Sequence, residues 1–83
     1  MKKVTIYSTR ICPYCVRAKN YFSKKNIEYT EIMIDKDITS MREMMEKTGR
    51  KSVPQIFIGD YHVGGFDDLI EHDMDGKIEA LLN

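Results

Sequence analysis

The chain has 83 residues, 42% of them hydrophobic, with thirteen lysines and arginines balancing thirteen aspartates and glutamates. That length holds a single domain, residues 1–83, with a modest core, and that composition excludes a disordered chain. Balanced charge gives no pull toward nucleic acid or an anionic membrane, and apolar runs of only a few residues exclude a bilayer-spanning helix.

Met1-Lys2-Lys3 is a basic start, but Val4 to Tyr7 is far too short for the apolar core of a signal peptide. The expected compartment is therefore the cytoplasm, where thiols are kept reduced. Val4 and Ile6 alternate with Thr5 and Tyr7, the period of a short strand. Ser8 to Ile11 connects it to Cys12-Pro13-Tyr14-Cys15, which holds the chain's only two cysteines. Cys12 stands at an expected helix N-cap, and Pro13 suits the first helical position, where its missing N–H costs nothing. Cys15, Ala18 and Phe22 recur at helical spacing and predict a helix to about Lys25, with Asn26 as its left-handed stop.

Glu28 to Ile34 predicts a second strand with Thr30, Ile32 and Ile34 on one face. Asp37 caps a second predicted helix, in which Ile38, Met41, Met45 and Thr48 share a face and Gly49 marks the end. Gln55 to Ile58 and Tyr61 to Val63 are two short strands around Gly59-Asp60, a two-residue hairpin signal. Gly64-Gly65 breaks the chain, Phe66 to Ile70 begins a helical stretch, and Ile78, Leu81 and Leu82 predict a last helix from about Asp75. The β-α-β start requires a right-handed parallel crossover, and the later hairpin adds antiparallel strands. The expected fold is α/β: a four-stranded mixed sheet flanked by helices, in the order β-α-β-α-β-β-α-α.

The chemistry concentrates at the two cysteines. A helix N-terminus presents unpaired N–H groups and the positive end of the macrodipole. A thiolate at Cys12 is stabilised there, and the thiolate is the reactive form of the group. Cys15 falls one turn further in, within reach of a small disulfide. A structural zinc site needs four ligands, whereas the chain offers only Cys12, Cys15 and two histidines, His62 and His72, ten positions apart. A purely structural disulfide closing a four-residue loop adds little constraint to the unfolded chain. Both histidines are expected on the surface and outside the chemistry. A C-x-x-C at the first βα junction reads instead as a redox motif.

Three segments together resemble the dithiol glutaredoxins. Cys12-Pro13-Tyr14-Cys15 looks like that family's dithiol motif, Ser52-Val53-Pro54 is similar to its Thr-Val-Pro segment, and Gly64-Gly65-Phe66-Asp67-Asp68 is similar to its Gly-Gly-x-Asp-Asp segment. They occur in the family's order and spacing, over essentially the whole chain, and look closest to the small bacterial members. The resemblance implies a thioredoxin fold and reduction of protein disulfides and glutathione mixed disulfides. It also implies glutathione as co-substrate, no tightly bound cofactor, and a cis peptide bond before Pro54. The implied roles are Cys12 as nucleophile, Cys15 as resolving thiol, and Tyr14, Lys51, Val53, Pro54, Gly65, Phe66 and Asp67 around glutathione, with Pro13 and Asp68 supporting the helix starts.

In that arrangement the Val53 backbone pairs with an extended tripeptide as with an added strand. The helix start at Phe66 and the Asp67 carboxylate take the γ-glutamyl end, and Lys51 or Arg10 takes the glycyl carboxylate. One position departs from the family: a lysine commonly stands three residues before the first cysteine, and this chain has Thr9. Asp68 reads equally as a ligand or a cap. Ribonucleotide reductase is a protein substrate that the family leads one to expect, with the carrier acting as a monomer. Two other readings are a carrier reduced by thioredoxin reductase and a module holding a metal or an iron–sulfur cluster. The family's cluster carriers usually have Cys-Gly-Phe-Ser, and a proline after the first cysteine argues against that role.

Overall fold

The computed structural model describes all 83 residues. Eight elements follow in the expected order: β1 (Val4–Ser8), α1 (Pro13–Lys24), β2 (Tyr29–Met33), α2 (Ile38–Thr48), β3 (Gln55–Ile58), β4 (Tyr61–Gly64), α3 (Phe66–Met74) and α4 (Lys77–Leu82). β1 lies parallel to β2 and antiparallel to β3, which in turn pairs antiparallel with β4, giving the sheet order β2-β1-β3-β4.

Strand side chains alternate between faces, and here the two faces feed two separate cores. Val4 and Ile6 of β1 join Ile56 and Ile58 of β3, Ala18 and Phe22 of α1, Leu69 of α3, and Ile78 and Leu82 of α4. Tyr7 and Phe57, one position out of phase, point the other way and meet Ile34 and Met44. Three helices therefore cover one face, and α2 alone covers the other. The buried Ser8 hydroxyl, at the exit of β1, is satisfied by donating to Glu31 Oε2 at 2.6 Å.

The local signals act as their chemistry predicts. Asp37 Oδ1 accepts the Thr39 N–H at 2.9 Å and starts α2, and Gly49 ends that helix at φ 69°. Asn26 takes the left-handed conformation after α1, at φ 58°. Gly64 at φ 117° meets a stricter demand, because a Cβ there would run into the Asp68 side chain.

Four expectations are corrected. The buried residue of α2 is Met44, flanked by the half-buried Met41 and Met45, while Ile38 is 65% exposed. Spacing alone does not set which of the three methionines faces the sheet; packing against Tyr7, Ile34 and Phe57 selects Met44. Thr30 shares the face of Ile32 and Ile34, as the alternation requires, but is exposed because β2 is an edge strand. The last helix begins at Lys77, since Gly76 adopts φ 70° and separates it from α3. His62 and His72 are both half-buried and hydrogen-bonded, because His62 stacks on Phe57 beside Gln55 and His72 of α3 packs against Tyr61 of β4.

Candidate active site

The antiparallel pairing of β3 with both neighbours collects three connections at one end of the sheet. Tyr7 near the exit of β1 is opposite Gln55 at the entry of β3, and Ile56 is opposite Gly64 at the exit of β4. The start of α1, the loop 52–54 and the start of α3 therefore converge, although Pro13 and Phe66 lie far apart in sequence.

Cys12 is the N-cap of α1, in extended conformation, and its sulfur accepts the Cys15 N–H at 3.1 Å. Pro13 opens the helix. The two sulfurs are joined in a disulfide, with the Cα atoms 5.2 Å apart. The cysteines differ in access: Cys12 is half-buried, whereas Cys15 is 1% exposed beneath the first turn. Across from Cys12, the Val53–Pro54 bond is cis and the Val53 carbonyl oxygen lies 3.9 Å from the Cys12 sulfur. Neither the N–H nor the carbonyl of Val53 is taken by another backbone group.

Beside the sulfurs runs an open cleft of about 320 Å³. Ser52, Val53, Pro54 and Gln55 form one wall, Gly65, Phe66, Asp67 and Asp68 the other, with Tyr14 and Arg50 at the ends. The Tyr14 ring is 6.1 Å from that of Phe66 and has the Arg17 guanidinium 5.1 Å from its centroid. Asp68 accepts the Gly65 N–H at 2.9 Å and the Arg50 Nη1–H at 3.2 Å. That N–H, ahead of the Arg50 guanidinium, holds the Asp68 carboxyl below the usual carboxylate range. Asp68 is thus a cap, in the manner of a capping box, whereas the Asp67 side chain is exposed and makes no hydrogen bond within the chain.

Of the residues singled out in the sequence, Tyr14, Val53, Pro54, Gly65, Phe66, Asp67 and Asp68 line this cleft beside the Cys12–Cys15 pair. Lys51 is exposed and outside the lining, whereas its neighbour Arg50 is within it. Arg10 is exposed, with its backbone N–H bound to Asp35. The sequence reading missed Arg50 and Gln55. Arg50 follows the Gly49 stop and lies in no motif, so only the turn out of α2 reveals where it goes. Gln55 reads in the sequence as an ordinary strand residue, and nothing local marks its burial or its contact with His62. A larger cavity of about 1040 Å³, between the N-terminal segment and β2, holds neither cysteine nor any of these residues. No three His, Cys, Asp or Glu side chains gather into a metal-binding group.

The family model described as glutaredoxin matches residues 4–63. The chain is 45% identical to a glutaredoxin of Pseudomonas aeruginosa over 83 residues, covering 100% of this chain and 99% of that protein. It is 44% identical to glutaredoxin 3 of Escherichia coli K12, over 99% of each chain. The crystal structure of a buckwheat glutaredoxin–glutathione complex superposes with a TM-score of 0.88 at 31% identity, covering 98% of this chain and 76% of that one. The four-stranded mixed sheet flanked by helices is the thioredoxin fold of those structures. With a dithiol pair at the mouth of α1 and relatives matched along its full length, this chain belongs to the glutaredoxins, a family of glutathione-dependent thiol–disulfide oxidoreductases.

Proposed function

We propose that glutathione lies along the cleft between Val53-Pro54 and Gly65-Phe66-Asp67, and that Cys12 and Cys15 divide the redox work between them. The observation that carries this reading is the position of the Cys12 sulfur: at the tip of α1, accepting a backbone N–H, 3.9 Å from the Val53 carbonyl. The helix tip favours the negative charge of a thiolate, and the unpaired Val53 backbone suits an extended peptide. The Gly65-Phe66 helix start faces the γ-glutamyl carboxylate, the free Asp67 carboxylate its ammonium, and Tyr14 covers the cysteinyl portion. Lys51 or Arg50 meets the glycyl carboxylate, with Arg50 already inside the cleft.

In the reaction, the Cys12 thiolate attacks the glutathionyl sulfur of a mixed disulfide. The new Cys12–glutathione bond forms as the target's S–S bond breaks, and the target leaves as a thiolate that takes a proton from water. A second glutathione thiolate attacks the bound glutathionyl sulfur, releasing oxidised glutathione and restoring the Cys12 thiolate. With a protein disulfide, Cys12 attacks first. Cys15 then attacks the Cys12 sulfur, loses its proton, and expels the reduced protein, leaving the Cys12–Cys15 disulfide for two glutathiones to reduce. The protein works as a cytoplasmic monomer with no tightly bound cofactor, on glutathionylated and disulfide-containing proteins, ribonucleotide reductase among them.

Turnover of a small glutathionylated substrate, coupled to glutathione reductase, tests the roles. Cys12→Ser abolishes turnover of every substrate. Cys15→Ser keeps deglutathionylation and loses dithiol reduction of protein disulfides. Full turnover by Cys12→Ser refutes the assignment.

A further inference from the structure

From the cleft wall at Ser52 and Gln55 a polar chain runs to His62 that the reaction above does not use. Gln55, the first residue of β3, is 1% exposed. Its Nε2 donates to the Ser52 carbonyl at 3.0 Å and approaches the Ser52 hydroxyl at 3.4 Å. Its Oε1 is 2.7 Å from His62 Nε2 on β4. With the amide hydrogens turned to Ser52, Oε1 can only accept, so His62 Nε2 carries the hydrogen. The His62 ring is stacked on Phe57, with centroids 5.0 Å apart and planes 28° from parallel. No buried side-chain nitrogen or oxygen in this network lacks a partner, and a satisfied buried network selects one conformation over its neighbours.

We infer that Gln55, oriented by His62, is a positioning residue of the cleft: it pins the Ser52 carbonyl and so sets the direction in which Val53 offers its backbone N–H and C=O to a bound tripeptide. The inference rests on the glutathione reading above and deepens it. Ser52 is the residue before Val53, so a rotation of its peptide unit turns the next N–H directly. No other side chain holds Ser52: its carbonyl and its hydroxyl are both bonded to Gln55 alone. Neither Gln55 nor His62 approaches either sulfur within hydrogen-bonding distance, so a loss of positioning weakens glutathione binding and leaves the reactivity of Cys12 alone.

Three variants separate this role from mere support of the fold. Gln55→Leu removes both hydrogen bonds at similar volume. His62→Phe keeps an aromatic ring over Phe57 and removes the donor, and His62→Gln keeps an N–H donor and removes the ring. Each is measured for KM and kcat with a small glutathionylated substrate, and for the rate at which iodoacetamide alkylates Cys12 in the reduced protein. The expected result is a rise in KM of about fivefold for Gln55→Leu and His62→Phe, the size of one lost hydrogen bond. kcat and alkylation stay within about twofold, and His62→Gln lies nearer wild type than His62→Phe. An unchanged KM in His62→Phe overturns the inference, as does a parallel fall in alkylation rate or the reverse order of the two His62 variants. If Gln55→Leu does not fold, His62→Phe, changed at a half-buried position, decides. The glutathione reading has its own control, since it fails if wild type shows no preference for a glutathionylated substrate over the corresponding disulfide without glutathione. A wild type that keeps that preference while His62→Phe keeps its KM sinks the positioning role alone.

Discussion

At the scale of single residues, the two cysteines are made unlike by one turn of helix. Cys12 sits at the open N-cap with its sulfur on a backbone N–H, and Cys15 lies under that turn at 1% exposure. Nucleophilicity needs both ionisation and access, and only Cys12 has access. In the reduced protein, iodoacetamide is expected to label Cys12 and spare Cys15. Plotted against pH, the labelling rate is expected to rise with a midpoint below the ~8.5 of an ordinary cysteine. Peptide mapping after a brief exposure checks the site, and equal labelling of both cysteines contradicts the division of roles. The Cys-x-x-Cys spacing announced this asymmetry, because a helix start can cap only the first of two thiols. Arg50 and Gln55 were not legible in the same way. Each works through a partner distant in sequence, Asp68 for one and His62 for the other, and no local pattern records such a pairing.

At the scale of elements, the start of α3 is where a side chain holds a helix and a cleft wall together. Asp68 accepts the Gly65 N–H and the Arg50 guanidinium, and its carboxyl titrates lower in the folded chain than in the unfolded one, mainly through that N–H. The folded state therefore binds the proton less readily than the unfolded state. The stabilisation is fully present above the unfolded value near ~3.9 and is lost as pH falls through the lower folded value. Asp68→Asn is expected to cost about 0.3–1 kcal/mol at neutral pH, the range for a charge at an exposed helix start. The gap to wild type should narrow as pH falls through the lowered folded value, where the Asp68 carboxyl is protonated and as neutral as the amide. Urea unfolding at several pH values measures it, and a gap that persists in acid contradicts the electrostatic account. Gly64, the last residue of β4, serves the same junction: its left-handed backbone and missing Cβ let Asp68 reach back over it. The Gly-Gly pair marked this break in the sequence, but the ion pair that closes it depends on the path out of α2.

At the scale of the whole molecule, the sheet divides the core unequally. One face carries eleven buried residues with three helices, and the other carries four, with α2 alone. Phe22, fully buried and edge-on to Tyr21 at 5.1 Å, anchors α1 in the larger core. Phe22→Ala is expected to remove about 3–5 kcal/mol, a large part of the ~5–15 kcal/mol typical of a domain. Met44→Ala, in the smaller core, is expected to cost less and to act first on α2. Native-state hydrogen exchange reads the difference directly: amides of α2 should open at lower free energy than those of α1, as thinly packed elements do. Equal protection of the two helices contradicts an unequal core. This asymmetry was not legible along the chain, because α1 and α2 have similar amphipathic patterns and differ only in what packs against them.

The sequence by itself determined the element order, the caps at Cys12 and Asp37, the stops at Asn26, Gly49 and Gly64-Gly65, and the chemistry of Cys12-Pro13-Tyr14-Cys15. All of these are local, written in spacing, capping oxygens and sulfurs, and left-handed turns within a few residues. Tertiary structure alone decided that Met44 rather than Ile38 is buried, that Arg50 rather than Lys51 lines the cleft, and that His62 locks onto Gln55 of the cleft wall. The physical reason is the antiparallel pairing of β3 with β1 and β4. It brings chain segments from residues 12, 53 and 65 to one end of the sheet, and side-chain contacts between segments so far apart leave no periodic trace in either one.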